Sequence, residues 1–116
     1  MTSRGKYFLI VSMEVEAEKE ALFNEVYDAE HLPYLSAVPG VVWASRLEQV
    51  PLVINLGGEK QTIEMADEPT YMAIYEIEGP EVLLSPEWAE AWQTGRWNSE
   101  VRPYTKNRRH VLRRVR

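Results

Sequence analysis

The sequence lacks cysteine entirely and has only two histidines, His31 and His110, among its 116 residues. The absence of cysteine excludes disulfide bonds, thiolate metal sites and a cysteine nucleophile. Two histidines are too few for a histidine-rich metal site within one chain. Motifs for phosphate loops, dinucleotides, zinc proteases and serine hydrolases are also missing. We therefore expect no metal and no cofactor. Either histidine would suit as an axial ligand of haem, but nothing else in the sequence points to haem.

Long hydrophobic runs are missing too. A bilayer span takes about 20 apolar residues, and no segment approaches that length. The apolar run at residues 7–13 is short, lacks a small-residue cleavage site and is followed by several glutamates, which favours a strand over a signal peptide. The sequence therefore predicts a cytoplasmic protein without a membrane partner.

Acidic residues are absent from segment 102–116, which holds seven of the 13 lysines and arginines. The net charge of the whole chain is −5, so the remainder is strongly acidic. The basic segment suits either a polyanion-binding tail or a strand neutralised by acidic neighbours in the fold. We favour the strand, because an acidic body repels nucleic acid, and we expect no nucleic-acid partner.

The composition and the periodicity of the chain predict one globular domain over residues 1–116. The predicted strands lie at residues 7–15, 41–50, 70–78 and 101–115, and the predicted helices at 18–31 and 86–95. This order is that of the ferredoxin-like βαββαβ unit. It is an α+β fold with a four-stranded antiparallel sheet and two main helices on one face. Gly57-Gly58, between strands two and three, favours an additional tight hairpin, with a mobile loop as the alternative.

The two faces of the predicted sheet suggest a homodimer. Helices would cover one face, and the other face would carry several large apolar side chains. Such a surface is too apolar to remain exposed to water. Burial against a second copy, most often with twofold symmetry, would cover it and form a dimeric α/β barrel.

The first helix divides into two predicted stripes. Leu22, Val26 and Ala29 share one face and are expected to pack on the sheet. A second stripe, almost opposite, combines the polar and aromatic side chains of Asn24, Tyr27, Asp28 and His31.

Two segments carry a resemblance to a known family. The run Phe23-Asn24-Glu25-Val26-Tyr27-Asp28-Ala29-Glu30-His31-Leu32-Pro33, followed by Val38-Pro39-Gly40 and Arg46, resembles the EthD-like branch of the dimeric α/β-barrel superfamily. The later run Tyr71-Met72-Ala73-Ile74-Tyr75-Glu76-Ile77, with Pro80-Glu81-Val82-Leu83 and Ser85-Pro86-Glu87-Trp88, is similar to the same branch. The resemblance implies a ferredoxin-like subunit, a dimer, and a cavity between the sheet and the helices. Relatives in the wider superfamily include haem proteins, and cofactor-free monooxygenases, isomerases and cyclases of small hydrophobic or aromatic molecules.

His31 is the first candidate for a catalytic residue, because imidazole accepts and donates protons near neutral pH. Asp28 would hold one tautomer and raise the histidine pKa, and Tyr27 would donate to a substrate oxygen. The alternative is that His31 only stabilises the helix end. His110, in the basic strand, suits a sheet surface or interface better than catalysis.

The candidate ligand-binding residues supply one charged group, one amide and several aromatic rings. Arg46 suits a carboxylate or phenolate, although pairing with Glu48 or Glu76 is equally compatible with its position. The aromatic residues suit an apolar pocket, with core or dimer interface as the alternative. The full set is Asn24, Trp43, Arg46, Tyr75, Trp88 and Trp92.

Two functions follow from these candidates. The first is a cofactor-independent monooxygenase, isomerase or cyclase with His31 as general acid/base. The second is a non-catalytic protein that binds a small ligand or serves as an accessory dimer.

Overall fold

The computed structural model describes residues 6–116, so the first five residues of the predicted domain lie outside it. The strands are β1 (Tyr7–Val15), β2 (Val41–Glu48), β3 (Leu52–Leu56), β4 (Glu59–Ile63), β5 (Tyr71–Ile77) and β6 (Thr105–Arg114). The α-helices are α1 (Glu20–Val26), α2 (Leu32–Ser36) and α3 (Pro86–Gln93). Short 3₁₀ or π turns lie at Ala17–Lys19, Tyr27–His31, Pro80–Leu84, Trp97–Val101 and Arg102–Tyr104. None of the helices in this range is long and apolar enough to cross a membrane.

The main sheet has four antiparallel strands in the order β2-β5-β1-β6. The predicted α+β class is therefore confirmed, as is the placement of the last strand beside the first. Strand β5 alternates between buried and half-buried residues along its whole length. Its buried residues, together with Leu9, Val11 and Met13 of β1, form the core beneath the helices.

The predicted hairpin is also present. Strands β3 and β4 pair through Leu56 and Glu59, which leaves Gly57 and Gly58 as a two-residue turn. Both glycines have positive φ, at 67° and 91°, as a type I′ turn requires. The hairpin forms a separate sheet, and most of its side chains are exposed.

The first helical segment extends beyond residue 31, into the region after Pro33 where the sequence allows a further turn through residues 34–38. The backbone continues past Pro33 to Ser36, and a π turn at Tyr27–His31 joins α1 to α2. In that turn the N–H of Leu32 donates to the carbonyl of Tyr27, five residues earlier. Because proline cannot donate to the helical ladder, a wide turn just before it absorbs the interruption without ending the helix.

The predicted core face of this helix is confirmed in part, since Val26 is fully buried and Leu22 packs against the core, but the placement of Ala29 on it was wrong. The structure buries Phe23, Val26, Tyr27 and His31, whereas Ala29 is exposed. The helix is rotated so that the rings of Phe23 and Tyr27 face the sheet. Aromatic rings bury far more apolar area than an alanine methyl group does, and this difference outweighs the aliphatic stripe.

The last strand begins later than predicted. The segment from Trp97 to Tyr104 is helical, and β6 starts only at Thr105. The hydroxyl of Thr105 donates to the carbonyl of Arg102 and closes the preceding turn. Two basic residues of β6 meet acidic side chains of the fold, since Lys106 stands opposite Glu14, and Arg109 pairs with Glu68 at 3.2 Å.

Candidate functional site

A cavity of about 320 Å³ lies between the sheet and the helical segments. Its walls are mainly aliphatic and aromatic, and its polar groups are two phenols, two imidazoles and two guanidinium groups. The lining residues are Leu9, Val11, Met13, Tyr27, His31, Leu35, Tyr75, Leu83, Trp88, Trp92, Trp97, Arg102, Arg108 and His110.

His31 is the most unusual group in this cavity. Its side chain is only 3% exposed, and its ring stacks on Trp97 with 4.3 Å between centroids and 14° between planes. Its Nδ1 atom is buried and has no hydrogen-bond partner among residues 6–116. Burial lowers the pKa of His31 from 6.5 to about 4, because the cation loses its hydration. The imidazole is therefore neutral at pH 7.

Two phenols lie beside the imidazole. The hydroxyls of Tyr27 and Tyr75 are 3.4 Å apart, and the ring of Tyr27 meets that of His31 edge to face at 5.2 Å. Burial raises the pKa of both phenols above 10.0. Both remain protonated near neutral pH. One hydroxyl donates to the other, so one O–H of the pair is left to donate to an acceptor in the cavity.

An ion pair between Arg96 and Glu30, the residue before His31, positions Trp97. The Glu30 carboxylate accepts from the backbone N–H of Arg96 at 2.9 Å and from its Nε at 2.7 Å. Gly95 has φ of 81°, and a Cβ there would lie 2.6 Å from the Glu30 carboxylate. Glycine therefore allows both the turn and the close approach. Trp97 follows Arg96 directly and covers the imidazole.

Asp28 does not contact His31 as predicted. Its carboxylate is exposed and accepts from Arg46 at 2.8 Å, while Arg46 also donates to Asn24 at 2.9 Å. These three residues line a separate polar cleft of about 370 Å³ with Leu47, Glu48 and Tyr71. The expected increase in the His31 pKa was therefore wrong, since burial acts on this imidazole and no carboxylate offsets it.

The predicted site residues thus fall into three groups. The first group lines the apolar cavity and consists of Tyr27, His31, Tyr75, Trp88 and Trp92. Asn24, Asp28 and Arg46 satisfy one another in the polar cleft, and Arg46 also lies 4.6 Å from the centroid of the Tyr27 ring. Trp43 contributes to neither, because it projects from the outer face of the sheet and is half exposed.

Sequence reasoning missed several lining residues. Trp97 has one apolar neighbour at helical spacing, Val101, and both are buried, so this pair was a signal that the sequence offered. Arg102 and Arg108 were treated as part of a neutralised strand. His110 is paired with Val11 in the ladder, and the burial of Val11 on the helix side would have indicated which face His110 occupies.

The described residues contain no group of three or more His, Asp or Glu side chains placed to hold a metal ion. The cavity instead combines an apolar wall with an uncharged imidazole and two phenols. Such a set can surround a flat organic molecule and exchange hydrogen bonds with it at a few points.

No protein-family profile matches the chain, and no curated protein is significantly similar to it.

We predict that His31 stays neutral down to about pH 4. The unfolded chain binds a proton at this residue near pH 6.5, whereas the folded chain does so only near pH 4. Stability from this group is therefore complete above about pH 6.5 and is lost as the pH falls toward 4. The loss amounts to about 3 kcal/mol.

The check is the imidazole titration by NMR, together with urea unfolding from pH 7.5 to pH 4. His31→Asn should flatten the pH dependence of the unfolding free energy, whereas His110→Asn, at an exposed position, should change it much less. A His31 ring that titrates near pH 6.5 in the folded protein would contradict the prediction.

Proposed function

We propose that this protein binds a small hydrophobic or aromatic molecule in the cavity beside His31. The observation that carries the proposal is a cavity of about 320 Å³ whose mainly apolar wall includes a neutral imidazole and two phenols. A small aromatic molecule would bury apolar surface against the indole and phenol rings of this wall and exchange hydrogen bonds with its few polar groups. The volume is at the lower end of the range of small-molecule sites.

We also propose that the subunit is ferredoxin-like and belongs to the EthD-like branch. The strand order β2-β5-β1-β6 is compatible with this assignment. Two residues of the first resembling segment, Tyr27 and His31, line a cavity between sheet and helices, where the resemblance implied a site.

We predict that the cavity binds the neutral fluorescent probe N-phenyl-1-naphthylamine, whose emission rises in an apolar environment. Leu83→Trp adds bulk to the cavity lining and should abolish the increase in emission. Leu84→Trp adds the same bulk at the next residue, which is 86% exposed, and should leave binding unchanged. The measurement is a fluorescence titration.

Circular dichroism must show that both variants are folded. Equal probe binding by the two variants would mean that the probe binds outside the cavity, and would refute the proposed site.

A catalytic role is the second candidate. The favouring observation is that a neutral imidazole lies at the cavity wall beside two protonated phenols. His31 would accept a proton from an acidic C–H or O–H of the substrate, while Tyr27 donates to the adjacent oxygen. Such a proton transfer is common to the monooxygenase, isomerase and cyclase reactions that we expect.

We predict that the protein speeds hydrogen–deuterium exchange at the activated C–H positions of 2-tetralone, a bicyclic aromatic ketone. The expected acceleration is about tenfold, below the usual range of general-base effects, because an imidazole with a pKa of about 4 is a weak base. His31→Asn should remove it while probe binding persists. The readout is proton NMR in deuterated buffer, with Glu18→Gln, at an exposed position outside the cavity lining, as the control. Exchange that is the same with and without protein would favour a purely binding role.

The outer face of the sheet supports a homodimer. Its central row crosses the four strands and consists of Ser45, Ile74, Ile10 and Val111. Trp43 and Leu47 flank this row and are 50% and 46% exposed. The adjoining rows end in Arg113 and Arg109, and the Trp43 row also contains Glu76. We propose a second copy as the occupant, because a twofold contact can pair these opposite charges around a shared apolar centre.

We predict that the wild-type protein sediments as a dimer and that Trp43→Glu or Leu47→Glu converts it to a monomer. Both side chains are half exposed in one protomer, so folding should survive each change. Leu84→Glu, which places the same charge outside this face, should leave the dimer intact. Wild-type protein that sediments as a monomer at every concentration would refute the dimer.

A further inference from the structure

Basic side chains surround the outer part of the cavity. Arg108 and His110 are exposed on β6, and Arg102 is half-buried in the preceding turn. The Arg108 guanidinium donates to the carbonyl of Arg102 at 3.3 Å and to the hydroxyl of Thr105 at 3.1 Å. The Arg102 guanidinium lies over the Trp92 ring, 5.2 Å from its centroid. Contacts within the fold therefore hold both guanidinium groups at the cavity.

These two arginines have no acidic partner. Every Asp and Glu of the chain lies within the described residues, and no ion pair there involves Arg102 or Arg108. No carboxylate lines the cavity either. By contrast, Arg46, Arg96 and Arg109 each pair with a carboxylate. In a chain of net charge −5, this leaves the cavity as a local region of uncompensated positive charge.

We propose that the ligand is an aromatic carboxylate, with its anionic group at Arg102 and Arg108 and its ring among Trp88, Trp92 and His31. This proposal rests on the proposed function, because it specifies the ligand of the same cavity. Guanidinium groups match a carboxylate in both charge and geometry. Indole rings supply flat apolar surface for an aromatic group.

The electrostatic environment of His110 agrees with this arrangement. Its pKa is lowered first by burial and then by the positive charges of Arg108 and Arg102. Three basic side chains therefore lie close enough for their positive charges to repel one another. An anion between them would relieve that repulsion.

The experiment compares 2-naphthoate with its neutral analogue 2-naphthamide by isothermal titration calorimetry. The two probes share the ring system and differ in charge. We expect 2-naphthoate to bind wild-type protein at least about tenfold more tightly, as for a charge-assisted hydrogen bond. Arg108→Gln should weaken 2-naphthoate about tenfold and leave 2-naphthamide unchanged. Arg116→Gln removes the same charge at the chain end, outside the cavity lining, and should alter neither.

The possible outcomes distinguish a wrong ligand class from the absence of a binding site. Equal affinity for the two probes would overturn the anionic ligand and leave the binding function standing. An advantage of 2-naphthoate that persists in the Arg102→Gln, Arg108→Gln double variant would overturn the role of these arginines. Binding of N-phenyl-1-naphthylamine without either naphthyl probe would also overturn the ligand class. Failure of all three probes would remove the proposed function itself.

Discussion

The cavity depends on the ion pair between Glu30 and Arg96. One carboxylate accepts from the backbone and the side chain of Arg96, and this ties the first helical segment to the turn that follows α3. Charge-assisted pairs with two parallel contacts fix orientation as well as distance. Trp97 is therefore held against His31, and the imidazole is shielded from water. Without that cover, His31 would be hydrated and would titrate as an ordinary histidine.

Burial lowers the pKa of His31 with no hydrogen bond or opposite charge among the described residues to offset it. Burial disfavours the imidazolium, and no carboxylate is close enough to compensate, so the ring is neutral at pH 7. Its Nδ1 atom also has no partner within the described residues. A buried polar atom of this kind lowers stability, whereas the amide and charged groups around Arg46 satisfy one another.

Much of the fold was predictable from local patterns. The bounds of β1 agree with the prediction, and Gly57-Gly58 formed the expected turn, because the sterics of positive φ favour glycine there whatever the surroundings. The aliphatic stripe of the first helix predicted the burial of Val26 but not that of Tyr27 and His31. Tyr27 and His31 each combine a polar group with a flat ring, and their rings are buried because they pack against Trp97. The start of β6 was missed for a related reason, since π and 3₁₀ turns have no simple hydrophobic period.

The sequence by itself determined the order of strands and helices, the absence of cysteine chemistry, and the presence of enough aromatic side chains for an apolar site. Tertiary structure decided which of those side chains meet. It separated Asp28 from His31, placed Trp43 on the opposite face, and brought Arg102 and Arg108 to the cavity. The physical reason is that the hydrophobic periodicity of a sequence indicates only which side chains are buried and which are exposed to water. Its neighbours are set by contacts between residues far apart in the chain, such as Glu30 with Arg96.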